Sequence, residues 1–253
     1  MPSLRAFALC AAALCAAVAA VAPRTNAAEP VDLALVLAAD VSRSVDDGEF
    51  DLQRKGYAAA FRDARVLRAI RGGVIGRIAV CYVEWSGADS QKVVVDWTVI
   101  GDDEQAGYFS DKLLAEPRPF ANRTSIGVAI DYAVAQFELS GAVGERRVID
   151  VSGDGTNTNG KPPILARDDA VRQDITINGL VIQSAEPTPW NPEHTHPPGG
   201  LPRYYEINVI GGPDAFVMVV EGFETFAEAI ANKLIREIAG DRQGHGLASY
   251  HGD

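Results

Sequence analysis

Apolar residues run almost unbroken from Val31 to Ala39 and stop at Asp40, the pattern of a strand covered on both faces rather than of one half in water. Over 46–70 the spacing becomes helical, with Phe50, Tyr57, Phe61 and Ile70 set among charges. Two more strands, 77–86 and 92–100, are separated by too few residues for a crossover helix, so that pair must be antiparallel. Helices are predicted at 103–114 and at 124–139, the latter with Ile126, Ile130, Ala133, Val134 and Phe137 at spacings of three and four. "RRVIDVSG" (146–153) reads as another buried strand, followed by a helix over 163–173 and a strand over 175–182. The stretch 183–205 holds six prolines, which predicts a long surface loop, an insertion at 183–203. A strand at 215–220 and a helix at 223–239 close the pattern, with Phe223, Phe226, Ala227, Ile230, Leu234 and Ile238 on one stripe. Residues 241–253 read as a flexible tail.

Alternating strands and helices with one tight strand pair define an α/β fold, a doubly wound, mostly parallel open sheet with one antiparallel edge strand. Ligands in such sheets bind beyond the carboxyl ends of the strands, near the point where strand order reverses. That directs attention to Asp40–Ser44, to the segment around Thr124, and to Ser152–Asn157.

Composition changes the picture at the N-terminus. One Arg, an apolar run from Ala6 to Ala22 and a polar stretch ending in small residues have the form of a signal peptide over 1–28, cleaved after Ala27 or Ala28. The expected location is therefore periplasmic or secreted in a bacterium, with no membrane span after cleavage. An uncleaved anchor is the alternative, but the run is short and rich in Ala rather than Leu. Leu9 and Leu14 precede Cys10 and Cys15, where a lipoprotein signal wants a small residue. The formal net charge is -11, and cleavage would remove Arg5 and Arg24 but no acid. Such acidity argues against nucleic acid or anionic membrane as a partner and favours divalent cations. Of the three cysteines only Cys81 survives cleavage, so residues 29–240 must be held by a core rather than by a disulfide.

"VSGDGTNTNGKPP" (151–163) bears two incompatible readings. Gly155, Gly160 and Lys161 have the spacing of a phosphate-cradling loop, but Pro162 stands where that loop needs a Ser or Thr to bind Mg²⁺ and open a helix. "RGGVIGR" precedes a strand instead of following one, so it is no dinucleotide fingerprint. The other reading is a metal site. Asp40, Ser42 and Ser44 alternate just past the first strand, Thr124 stands at a helix start, and Asp154 ends a strand. A hard cation takes such oxygen donors and keeps several waters. Singly, Ser44 and Thr124 could be helix caps and Asp154 a turn residue; three oxygen-rich loops at one end of three buried strands are harder to assign that way.

"LVLAADVSRSV", "NRTSIGVAIDYA" and "RVIDVSGDGTN" resemble the three parts of the metal-ion-dependent adhesion site of von Willebrand factor type A domains, and the likeness covers nearly all of 29–240. "DVSRSVDDGEF", "YVEWSG", "RTSI", "VSGDGTN" and "YYEINVIGGPDAFV" are more closely similar to a bacterial exported family of that fold with unassigned function. The resemblance implies that Ser42, Ser44 and Thr124 bind the metal directly, while Asp40 and Asp154 hold coordinated waters. The cation would be Mg²⁺, or Ca²⁺ or Mn²⁺, with one position open for an Asp or Glu of a protein partner. Gly153 departs from the pattern, since many A domains have Thr or Ser there.

Other candidates are weaker. His194 and His196 with Glu193 could bind zinc, but a proline-rich loop without a distant third ligand is a poor cage. Trp190, Tyr204 and Tyr205 are expected to pack the insertion onto the domain, Glu84 and Trp85 to end a strand near the rim, and Cys81 to be a core thiol. No G-x-S-x-G elbow occurs, and His194, His196, His245 and His251 all fall in expected loops or the tail. The expectation is a binding domain, not an enzyme; the alternative is a metal-dependent enzyme or an enzyme's accessory subunit.

Overall fold

The computed structural model describes residues 28–222 and 225–240; all but the last residue of the expected signal peptide (1–28), Phe223, His245, His251 and the expected tail from 241 lie outside the described residues. Six strands form one sheet: β1 (Glu29–Asp40), β2 (Ile78–Trp85), β3 (Gln91–Ile100), β4 (Ala142–Gly153), β5 (Ile175–Gln183) and β6 (Val217–Glu221). Their order is β3-β2-β1-β4-β5-β6. Only the β2–β3 pairing is antiparallel. β1 is central and buried from Val31 to Asp40, which explains its unbroken apolar run. Leu33, Leu35, Leu37 and Ala39 face one core and Ala34, Val36 and Ala38 the other.

The first core is covered by α1 (Asp47–Phe61), α2 (Ala64–Arg71), α3 (Asp103–Ala115) and α8 (Phe226–Ala239), whose buried residues enter that cluster. The second is covered by α4 (Ile126–Gln136), α5 (Pro163–Val171) and α7 (Leu201–Asn208). Strand order reverses between β1 and β4, so the loops leaving these two strands open side by side.

Three expectations change. The helix read over 46–70 is two helices, because the Asp63 carboxylate accepts from Arg65 N and starts a new one; side-chain capping competes with helix continuation. The insertion is not a plain surface loop. It contains a short turn of helix, α6 (Pro192–Thr195), and then α7, with Pro202 in its first turn, where a missing N–H costs nothing. Ala227 faces outward, whereas Phe226, Ile230, Leu234 and Ile238 are buried as expected. Cys81 is a core thiol, its pKa pushed up to about 12 by burial.

Candidate functional site

The chain leaves β1 in a tight turn. Asp40 Oδ1 accepts a hydrogen bond from Ser42 N at 2.7 Å, so the aspartate organises its own loop. Ser42 Oγ lies 3.1 Å from Ser44 Oγ, and Ser44 Oγ donates to Asp154 Oδ1 at 2.8 Å. One chain of polar contacts thus links the end of β1 to the end of β4. Backbone bonds stitch the loops together: Arg43 N donates to Asn122 O at 2.9 Å and Thr158 N to Thr124 O at 2.8 Å. Thr124 is buried and lines, with Ser44, a cavity of about 770 Å³. All five residues singled out in the sequence therefore stand at one end of the sheet.

The capping alternatives do not hold. Asp46, not Ser44, caps α1, in a reciprocal box with Glu49. The first N–H of α4, on Ile126, donates to Asn157 Oδ1 at 2.8 Å, so Thr124 is released from that duty. Lys161, the last residue of the phosphate-loop pattern, bridges α4 and α5 through Asp131 at 2.9 Å and Asp169 at 2.8 Å. Pro162 precedes α5 and Pro163 opens it. Glu84 is locked to Arg54 at 2.7 Å, both buried, and Trp85 is buried in the second core.

Charge distinguishes the site. Asp40 and Asp154 are both buried, and no Lys, Arg or His among the described residues forms an ion pair with either. Burial, then the charge of Asp154, holds the Asp40 pKa well above the ordinary value. Burial pushes Asp154 up to about 6, against the hydrogen bond from Ser44 and with the repulsion of Glu49. The charge of Arg118 favours the Asp40 carboxylate, but its guanidinium is held by Asp47 and by the carbonyls of Val41, Ser42 and Val45. Asp40 Oδ2 has no hydrogen-bond partner. A buried charge left so costs several kcal/mol by the usual scale, which a cation in the loop would offset.

The insertion supplies what sequence reasoning missed. His194 is 1 % exposed, its Nε2 lies 3.4 Å from Thr124 Oγ1, and burial lowers its pKa. A Cβ on Gly155 would stand 2.2 Å from that ring, so only glycine lets the imidazole approach. A Cβ on Gly153 would meet the Tyr205 hydroxyl at 2.6 Å and Asp40 Oδ2 at 3.1 Å. Gly153 thus makes room for a tyrosine that α7 delivers, and the Tyr205 hydroxyl is buried without a partner. Tyr204 accepts a hydrogen bond from Asn157 N at 3.2 Å. The two tyrosines do pack the insertion down, but Trp190 is 61 % exposed and lines the cavity instead. His196 goes elsewhere, its Nδ1 3.0 Å from Thr195 Oγ1.

The donors fit a hard divalent cation: hydroxyls on two loops, carboxylates behind them and an unsatisfied carboxylate oxygen. Among the described residues no three His, Cys, Asp or Glu side chains could hold a metal by themselves, so any such site depends on the hydroxyls.

Sheet order, the single antiparallel strand and the position of these loops define a von Willebrand factor A-like domain. The chain belongs to the family described as Protein of unknown function (DUF1194), whose profile matches residues 30–242. No curated protein matches the sequence. Among solved structures it is similar to proximal thread matrix protein 1 of the mussel byssus, with 11 % identity, a TM-score of 0.61, and coverage of 83 % of this chain and 49 % of that one. The pilus adhesin SpaC of Lactobacillus rhamnosus GG gives 15 % identity and a TM-score of 0.57, over 83 % of this chain and 30 % of the adhesin. A von Willebrand factor type A protein of Catenulispora acidiphila gives 16 % and 0.54, over 82 % and 43 %. The chain therefore spans half or less of each of these proteins, and at such identities the likeness is one of fold.

Proposed function

We propose that this is an exported binding domain that holds a divalent cation on Ser42, Ser44 and Thr124, with Asp40 and Asp154 behind them, and uses it to grip an Asp or Glu of a protein partner. One observation carries the reading: Asp40 and Asp154 are buried together at the end of the sheet without an ion-pair partner among the described residues. A protein that buries two carboxylates beside three hydroxyls has built the negative half of a cation site. The cation would screen the aspartates and leave a coordination position facing the cavity. There Arg43 and Arg123 favour the approach of an acidic group. Support from outside the chain is that a related structure of the mussel matrix protein is described with zinc in its adhesion-site motif. Mg²⁺ is the first candidate cation for the hydroxyl set, with Ca²⁺ and Mn²⁺ next. Export rests on the N-terminal apolar run.

Calorimetric titration of the metal-stripped protein with Mg²⁺, Mn²⁺ and Ca²⁺ tests the cation; heat in wild type that vanishes in Asp154→Asn is expected, and no heat in wild type would sink the reading. Capture of partners from a periplasmic extract with Mg²⁺ and with EDTA tests the role. Binding should be lost in EDTA and again when the partner's acidic residue is changed to its amide. A second reading, a cation-assisted enzyme, is favoured by His194 beside Thr124, which puts an imidazole base where the sequence suggested none; it requires turnover that Asp154→Asn abolishes.

A further inference from the structure

The insertion brings a nitrogen to a site whose other donors are all oxygens. We infer that His194, through Nε2, is a ligand of the cation, and that the site takes zinc or a late transition-series cation in preference to Mg²⁺ or Ca²⁺. The inference rests on the cation reading above and concerns which cation is held and by what.

Three observations converge on it. The first is spacing. Two ligands each about 2.0–2.1 Å from one cation stand roughly 2.8–3.4 Å apart for bond angles between a right angle and the tetrahedral one. Ser42 Oγ to Ser44 Oγ is 3.1 Å, and Thr124 Oγ1 to His194 Nε2 is 3.4 Å. The last, at the upper end of that window, suits two ligands of a shared ion. The second is that the ring is held in place. Thr156 N donates to the His194 carbonyl at 2.9 Å, and Thr156 Oγ1 lies 3.4 Å from Nδ1. A metal-binding histidine is characteristically steered through its other nitrogen in this way. The third is that the chain has made room for it at Gly155, where any side chain would strike the imidazole. His194 lines the cavity with Ser44 and Thr124, whereas His196 does not.

Imidazole favours zinc, copper and nickel, while hydroxyl, carboxylate and water suit Mg²⁺ and Ca²⁺. A set that mixes them should bind Zn²⁺ or Co²⁺ through all its donors and Mg²⁺ through the oxygens alone. The experiment is calorimetry of Zn²⁺, Co²⁺ and Mg²⁺ on the full untagged chain, in wild type, His194→Ala, His194→Gln and Asp154→Asn, with X-ray absorption of the Zn²⁺-loaded protein. Glutamine keeps the volume and a polar end, so it separates ligation from packing. Each His194 variant should lose on the order of 100-fold in Zn²⁺ affinity and change by less than about threefold for Mg²⁺, and imidazole scattering seen in wild type should vanish in His194→Gln. If both variants bind Zn²⁺ like wild type while Asp154→Asn binds nothing, His194 is no ligand and the cation reading survives. If wild type binds no cation, both fall.

Discussion

Asp150 and Asp154 lie close in sequence at the end of β4, and both are buried, yet their surroundings differ in one respect. Asp150 meets Lys233 of α8 at 2.7 Å, and the same ammonium donates to Glu237 at 2.6 Å. Burial alone would lower the Lys233 pKa, but the two carboxylates carry it above the ordinary value, so it stays charged. Glu237 is further held by Asn178 Nδ2 at 2.8 Å. This cluster of two acids carries its own cation, sealed between sheet and helix. The other, Asp40 with Asp154, stands at the mouth of the sheet with hydroxyls in place of an ammonium. The first is a finished ion network, and the second, on the function proposed above, is one whose cation would come from solution.

The comparison breaks most readily at Lys233. Lys233→Met keeps the stem and removes the charge, leaving Asp150 and Glu237 unpaired; the expected cost is about 3–5 kcal/mol, read from urea unfolding at neutral pH. Changing Asp150→Asn and Glu237→Gln as well should restore most of it. The pH dependence follows in sign. Asp150 is raised from 3.8 to about 6, first by burial and against the pull of Lys233. Its protonated form therefore favours the folded state, and that contribution, present below 3.8, is lost as pH rises through about 6. The deficit of Lys233→Met should then shrink as pH falls from about 7 towards about 5. A deficit that grew on acidification would refute the assignment.

At the open cluster the signs reverse. Asp154→Asn removes a buried charge with no ion-pair partner among the described residues, so the metal-free protein should gain on the order of 1–3 kcal/mol. Wild type, but not the variant, should gain about 2.7 kcal/mol at a cation concentration of 100 times Kd. Melting with and without EDTA checks both. Destabilisation of the metal-free protein by Asp154→Asn would show that the carboxylate is compensated from within.

Gly153 offers a smaller test. Gly153→Ala drives a methyl against the Tyr205 hydroxyl and should cost about 1–3 kcal/mol. Tyr205→Phe, which deletes an unpartnered hydroxyl, should be close to neutral alone and should relieve much of that cost in the double variant. A strictly additive pair would place the strain elsewhere.

These clusters differ in how far the sequence discloses them. Asp40, Ser42, Ser44, Thr124 and Asp154 were legible because each follows a strand or precedes a helix whose apolar pattern is unambiguous, and topology does the rest. His194 and Tyr205 were not, since prolines and paired glycines mask the start of α7 and nothing local says where the insertion docks. A faint signal did exist in Gly153 and Gly155, two residues without side chains at a site that needs many. Lys233 and Glu237 were overlooked although they sit i and i+4 inside the buried stripe of α8. Two opposite charges on an apolar face call for a third partner, and Asp150 within "RRVIDVSG" supplies it.

The smallest effect on stability should fall where function is most exposed. Trp190 is 61 % exposed and its ring approaches only His194, at 5.9 Å, among the aromatic neighbours of the site. Trp190→Ala should therefore alter unfolding by less than about 0.5 kcal/mol and leave cation binding within about twofold, because no donor is removed. It should weaken capture of an acidic partner at least about tenfold, as the loss of an aromatic anchor at a contact's centre does. Tryptophan fluorescence gives an independent reading, since a partner filling the cavity must shift emission from this residue and not from Trp85, which is fully buried. Unchanged capture by Trp190→Ala would move the partner's contact away from the cavity and onto the cation and its arginines alone.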